Sequence, residues 1–216
     1  MTGLQEILLI RHAQSQSNIG EKIPHREGEH SIELTTAGQR QAQALVNAVS
    51  SEALQTALVY CSPFLRARQT LRALLNAHCL GELPVREDPL LREQDRGYLP
   101  EKEQLTLRKL HGWFWYRHAG GESPADVHQR MSLFLTNLYR HAQKADTSRA
   151  IIVSHGMTIR CFVMRYLNLR VEDFNRMKNP PNGAVIRIAP LDAISDPVFA
   201  NARWAVSGLS LRRVVS

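Results

Sequence analysis

Cysteine is scarce in this chain and long apolar runs are missing, and both shortages narrow what the protein can be. Only Cys61, Cys79 and Cys161 occur in 216 residues. They are odd in number and none lies in a Cys-x-x-Cys pair, which argues against a disulfide framework or a thiolate zinc site. Buried thiols are the expectation. No apolar stretch approaches the length of a membrane span, and no basic segment followed by a long apolar region marks a secretory signal. A cytoplasmic chain without a membrane partner is expected. Internal repeats and low-complexity tracts are also lacking. Acidic residues are outnumbered by basic ones, leaving a net charge of +7 and a pI near 9.7. That balance raises nucleic acid as a partner, but the arginines are scattered and form no dense basic block. An anionic small substrate, or a merely basic surface, accounts for the charge equally well, and no nucleic acid is expected.

What is present is the composition of an ordinary globular protein, 44% hydrophobic and 22% charged. The length suits one domain with a full core, spanning 1–216, with a small cap inserted at about 81–121 where periodicity weakens. Short apolar runs at Glu6 to Ile10, Ala57 to Cys61, Ala150 to Val153 and Ala184 to Ile188 read as strands. Between them, Ala42, Leu45, Val46 and Val49 recur at helical spacing, with Thr36 and Gln39 as a capping box. Ser62-Pro63 predicts a helix start, with Ser62 as N-cap and the helix running through Leu75. Ser123-Pro124-Ala125-Asp126 opens another, carrying Val127, Met131, Phe134 and Leu138 on one face. A last helix runs from His155 to Tyr166. Strands alternating with helices predict an α/β fold, a three-layer sandwich with a mostly parallel central sheet flanked by helices.

Two of those strands run out on a histidine. Leu9-Ile10-Arg11-His12 and Val153-Ser154-His155-Gly156 place His12 and His155 at strand ends, where open α/β sheets bind ligands. A neutral imidazole is a competent nucleophile toward phosphorus, and a neighbouring guanidinium binds phosphoryl oxygens through its planar fork. Arg66 lies on the first turn of the helix that directly follows the second strand, Ala57 to Cys61. Gly156 permits close backbone approach, and a helix beginning there directs its amides at an anion. Each residue alone has an ordinary alternative: a satisfied core histidine, a solvated arginine, an exposed loop glutamate at Glu93.

Together the segments resemble the histidine phosphatase superfamily, in its phosphoglycerate-mutase-like branch. Arg11-His12-Ala13 stands for the family's Arg-His-Gly, and Asn18 falls at its Asn. Leu34-Thr35-Thr36-Ala37-Gly38-Gln39-Arg40-Gln41-Ala42 resembles its Leu-Thr-x-x-Gly-x-x-Gln-Ala. Ser62-Pro63-Phe64-Leu65-Arg66-Ala67-Arg68-Gln69-Thr70 resembles its Ser-Pro-Leu-x-Arg-Ala-x-x-Thr, and Leu91-Arg92-Glu93-Gln94-Asp95-Arg96-Gly97 carries its Glu. Val153-Ser154-His155-Gly156 completes five ordered blocks. The resemblance implies a phosphohistidine on His12. Arg11, Arg66 and His155 would hold the phosphoryl oxygens, with Asn18 and Gly156 beside them, and Glu93 would move the proton. It implies no cofactor and no metal. Ala13 and Gln14 depart from the commoner Gly and Glu.

The same resemblance separates two activities. Phosphoglycerate mutases follow their Glu with Arg and, two residues on, Tyr; Gln94 and Arg96 stand there instead, which favours a phosphatase acting on a small phosphorylated substrate or a phosphoprotein. A cofactor-dependent mutase is the alternative, and a non-catalytic phosphate-recognising scaffold the second. Trp113-Phe114-Trp115-Tyr116-Arg117 reads either as a lid over the pocket mouth, with Arg117 touching a substrate anion, or as packing of the inserted region. Glu122 has no role that the sequence assigns. Nor does the sequence reveal the oligomeric state.

Overall fold

A computed structural model describes residues 3–22 and 24–212. Its centre is built by three short apolar runs, β1 (Glu6–Arg11), β2 (Leu58–Cys61) and β4 (Arg149–Ser154). Their side chains alternate between two cores. Ile7, Leu9, Tyr60 and Ile152 enter one, while Leu8, Ile10, Val59 and Val153 enter the other. A period of two with both faces covered is what a central parallel strand requires. With β3 (Val85–Glu87), β5 (Val185–Pro190), β6 (Phe199–Ala200) and β7 (Trp204–Ser207), the sheet order is β3-β2-β4-β1-β5-β7-β6.

The helices are α1 (Pro24–Glu27), α2 (Thr36–Gln43), α3 (Ser51–Thr56), α4 (Leu65–Ala77), α5 (Glu101–His111), α6 (Pro124–Ala145), α7 (Gly156–Leu167) and α8 (Val171–Arg176). Leu54 of α3 and Leu71 and Leu74 of α4 pack on one face of the sheet. On the other face lie α6, through its buried stripe Val127, Met131, Phe134 and Leu138, and α7, through Ile159 and Phe162. This is the expected three-layer α/β arrangement. Among the described residues, no helix is long and apolar enough to cross a membrane.

The four expected strands are all present, but β5 runs antiparallel to β1, and β7 and β6 continue antiparallel beyond it. The reason is the route taken after α7. Through α8 and residues 177–183 the chain returns to the C-terminal edge of the sheet, where Gly183 N–H donates to the Arg11 carbonyl (3.1 Å). From there β5 can only run back down β1.

Helix starts also shift. Thr35, not Thr36, caps α2, its Oγ1 accepting from Gly38 N–H at 2.9 Å. Helix α2 stops at Gln43 and continues as a 3-10 turn, Ala44–Asn47. Helix α4 begins at Leu65, because Phe64 is extended (φ −68°, ψ 135°); the Ser62 hydroxyl is committed to the Phe64 amide and to His155. Ser123 caps α6 as expected, in a reciprocal box with Asp126. The stretch from 81 is not wholly an insertion, since β3 joins the sheet beside β2. Beyond it, residues 95–98 and 118–122 zip together, with Glu122 N–H donating to the Asp95 carbonyl at 2.8 Å. Gly97 belongs there for a physical reason: φ is +67°, and a Cβ would stand 1.9 Å from the Ala119 carbonyl.

Candidate active site

Strands β2, β4 and β1 are neighbours, so the residues following them, Ser62, His155 and His12, meet at one sheet edge. His12 is 3% exposed. Its Nδ1 lies 2.8 Å from the Ala13 carbonyl oxygen, and a carbonyl only accepts, so Nδ1 carries the proton. That leaves a lone pair on Nε2, which accepts from Arg66 Nε–H at 3.2 Å. Burial, then Arg66 and Arg11, hold its pKa well below 6.5. His12 is therefore a neutral imidazole with its lone pair on Nε2, the form a nucleophile needs.

The backbone carrying it is clamped. Ala13 N–H donates to Thr70 Oγ1 (3.0 Å), and Asn182 Nδ2 donates to the His12 carbonyl (3.1 Å). Gly38 packs so tightly beneath this loop that a Cβ would lie 1.9 Å from the Gln14 carbonyl. Asn18 accepts through Oδ1 from Ser15 N–H, Ser15 Oγ and Asn182 Nδ2 (each 3.0 Å), which leaves its Nδ2 as the end available to a ligand.

His155 packs against His12 with ring centroids 5.0 Å apart. It is fully buried, bonds Ser62 Oγ through Nε2 at 2.7 Å, and has no partner at Nδ1. Burial and Arg66 push its pKa well below 6.5 too. Two buried neutral imidazoles carry a pH signature. Both are matched by the unfolded chain above pH 6.5, but below it only the unfolded chain takes up the protons. Each should cost stability at up to about 1.4 kcal/mol per pH unit as the pH falls below 6.5. Thermal unfolding at pH 7.5, 6.5 and 5.5 checks this: the unfolding temperature should hold over the first step and fall over the second.

Glu93 sits where the expected anion would. Its carboxylate accepts from Gln94 N–H (3.0 Å), Met157 N–H (3.3 Å), and Thr158 N–H and Oγ1 (3.2 and 3.3 Å). The first-turn amides of α7 thus hold a side chain of the protein itself, by the same dipole and donor logic that attracts phosphate. Gly156 packs on Asn179 and on Arg11, whose burial lowers its pKa.

Arg11, His12, Asn18, Arg66 and Glu93 all line one cleft of about 640 Å³. His155 and Gly156 adjoin it from behind without lining it. Arg117 is not brought to it: its side chain is 68% exposed and pairs with Asp126 of α6. None of Trp113 to Tyr116 lines the cleft either. Phe114 packs edge-on to Phe174 (5.1 Å), and Arg160 lies over Trp113 and Phe174 (4.5 and 4.3 Å), so the packing reading holds.

Glu29, His30, Gln104, His118 and Asn179 line the cleft without having been picked out in the sequence. The first two belong to the polar stretch Gly20 to Glu33, rich in Gly, His and Glu, that precedes α2. Glu122 now has a place: it pairs with Arg92 (2.6 Å) and Arg130 (3.0 Å) beneath the segment bearing Glu93.

The model of the histidine phosphatase superfamily (branch 1) matches residues 7–193. The chain belongs to that superfamily. As a histidine phosphatase family member it is 34% identical over 200 residues to phosphoglycerate mutase-like protein AT74 of Arabidopsis thaliana, covering 84% of this chain and 63% of that protein. It therefore spans less than two thirds of that relative's length. It is 24% identical over 279 residues to the broad-range acid phosphatase DET1 of Saccharomyces cerevisiae, covering 83% and 84%. A mycobacterial glucosyl-3-phosphoglycerate phosphatase shares the fold, with a TM-score of 0.73 at 22% identity over 94% of this chain and 98% of that one.

Proposed function

We propose that this histidine phosphatase is a phosphomonoester hydrolase that works through a phosphohistidine on His12, without a metal. The observation that carries the proposal is the His12 tautomer, with the proton fixed on Nδ1 by the Ala13 carbonyl and Nε2 facing Arg66. In the first step Nε2 attacks phosphorus, the P–O bond to the alcohol breaks, and Glu93 gives the departing oxygen its proton. A water then attacks the phosphohistidine and passes its proton to Glu93. The P–N bond breaks, returning neutral His12 and orthophosphate. Arg11 and Arg66 hold the phosphoryl oxygens, with the Asn18 amide beside them, while His155 backs the His12 ring from behind the cleft. The two guanidinium groups stabilise charge as it spreads over those oxygens, so cationic side chains do what a metal ion would otherwise do.

Hydrolysis is favoured over mutase chemistry by Gln94. At the place where the mutases carry a substrate-contacting Arg, Gln94 is 2% exposed and donates through Nε2 to the Glu122 carbonyl (2.9 Å). It is spent on holding the segment together. The substrate we propose is a small phosphorylated molecule or a phosphorylated protein side chain, met in the cytoplasm.

The test is hydrolysis of p-nitrophenyl phosphate in excess EDTA, followed by acid-sensitive, base-stable trapping of labelled phosphate on the protein. Turnover that survives EDTA, together with a label of that stability, is expected. Abolition by EDTA or an acid-stable label sinks the mechanism. Rapid interconversion of 3-phosphoglycerate in the presence of 2,3-bisphosphoglycerate would favour the mutase instead.

A further inference from the structure

Every nitrogen of the Arg66 guanidinium has a partner, three of its five N–H groups being engaged. Nε donates to His12, NH1 donates to the Glu29 main-chain carbonyl (2.8 Å), and NH2 donates to the Glu29 carboxylate (2.7 Å). Two of these three contacts come from one residue, in the 3-10 turn Glu29–Ser31. Gly28, with φ +79°, turns the chain so that both the carbonyl and the side chain of Glu29 point at the same fork. One carboxylate oxygen on NH2 and the main-chain carbonyl on NH1 together occupy the end of the fork by which arginine also takes a phosphoryl group.

We propose that Glu29 is an internal anion that competes with ligands for Arg66 and so determines the affinity of the phosphoryl site. This rests on the reading of the cleft as a phosphate site, but not on turnover. A phosphoryl group that takes the end of the fork held by Glu29 must first turn its carboxylate away. The protein then exists in closed and open forms, and apparent affinity falls by the fraction that is open. A contact closed about nine-tenths of the time weakens anion binding about tenfold.

The carboxylate's surroundings make the competition sensitive to pH. Arg66 of α4 and Arg96 of the segment after Glu93 favour its ionised form; burial, with Glu93 nearby, opposes it, and the net effect raises its pKa. His30 is the neighbour on its own turn, and His12 stands on the far side of Arg66. Protonating Glu29 removes the charge that holds NH2, so acid conditions should open the site.

Sulfate is the suitable probe, because it stays a dianion throughout and is not turned over. Calorimetric titration at pH 7.5 should find sulfate bound about tenfold more tightly by Glu29→Gln than by the unaltered protein. As the pH is lowered stepwise the gap should narrow, because only the unaltered protein has a Glu29 carboxylate to protonate. Glu29→Asp, whose carboxylate is one methylene short of the fork, should fall between them, and it serves if the first variant does not fold. Equal or weaker binding by these variants overturns the proposal. So does sulfate binding that survives Arg66→Ala, because the anion would then lie elsewhere. Loss of phosphatase activity in the unaltered protein, by contrast, would count against hydrolysis and leave the sulfate result standing.

Discussion

Replacing His12 with alanine should lower kcat/KM toward an aryl phosphate by on the order of 10⁴-fold or more, the scale at which enzymes lose a covalent nucleophile. That is about 5.5 kcal/mol of transition-state stabilisation. The expectation follows from what remains after substitution. Arg66 and Arg11 stay, so a phosphate can still bind, but the Nε2 lone pair that makes the bond to phosphorus is gone. Affinity for orthophosphate should therefore change far less than turnover. Removing a ring this buried also leaves a hole, so the variant should be somewhat less stable, and its activity must be compared below its own unfolding transition. The hole is itself useful: imidazole added at millimolar concentration should restore part of the rate by supplying the missing nitrogen. A variant that hydrolyses the ester as fast as the unaltered protein would end the phosphohistidine mechanism outright.

Much of this site is legible in the sequence, because its members sit at the ends of period-two apolar strands or on the first turn of the helix that follows one. The strand ends predict where His12 and His155 go, and the ordered blocks around them predict that Arg11, Arg66 and Glu93 share one cleft. What the sequence does not show is how backbone donors are spent. Gly156 was expected to open a helix toward a substrate anion, yet the Met157 and Thr158 amides are taken by Glu93. No local pattern links residues more than sixty apart. The return of the chain through Asn179 and Asn182 is invisible for the same reason. They stand in the run Asn179-Pro180-Pro181-Asn182, and only the antiparallel entry into β5 carries them to the His12 loop. Arg117 failed in the opposite way. Its neighbours are aromatic and polar, as at a pocket mouth, but the packing of Phe114 under α6 turns it out toward Asp126.

Glu122, which no sequence motif explains, should prove among the costliest residues to truncate. Its Oε1 accepts from Arg92 NH2 (2.6 Å) and Arg130 Nε (3.0 Å), and its Oε2 from Arg130 NH2 (3.2 Å) and the Asp95 amide (3.1 Å). The side chains of Arg130 and Glu122 are 7% and 14% exposed, so this is a buried pair. Taking away one partner strands a charge in the interior, which costs about 3–5 kcal/mol. For a chain of this length that is a fall of about 10 °C in unfolding temperature. Glu122→Ala should show such a fall. Glu122→Ala combined with Arg130→Met should recover part of it, since the stranded charge is then gone as well. The loss should reach the chemistry too. Arg130 also donates to the Leu90 and Glu93 carbonyls, and Gln94 holds the Glu122 carbonyl, so the pair pins the segment from which Glu93 reaches the amides of α7. Below its unfolding transition, Glu122→Ala should accordingly lose kcat more than affinity for orthophosphate, because Arg11 and Arg66 hang from other elements. A variant within 1 kcal/mol of the unaltered protein would mean that water reaches Arg130 and screens it, and that the position of Glu93 is set by α7 alone.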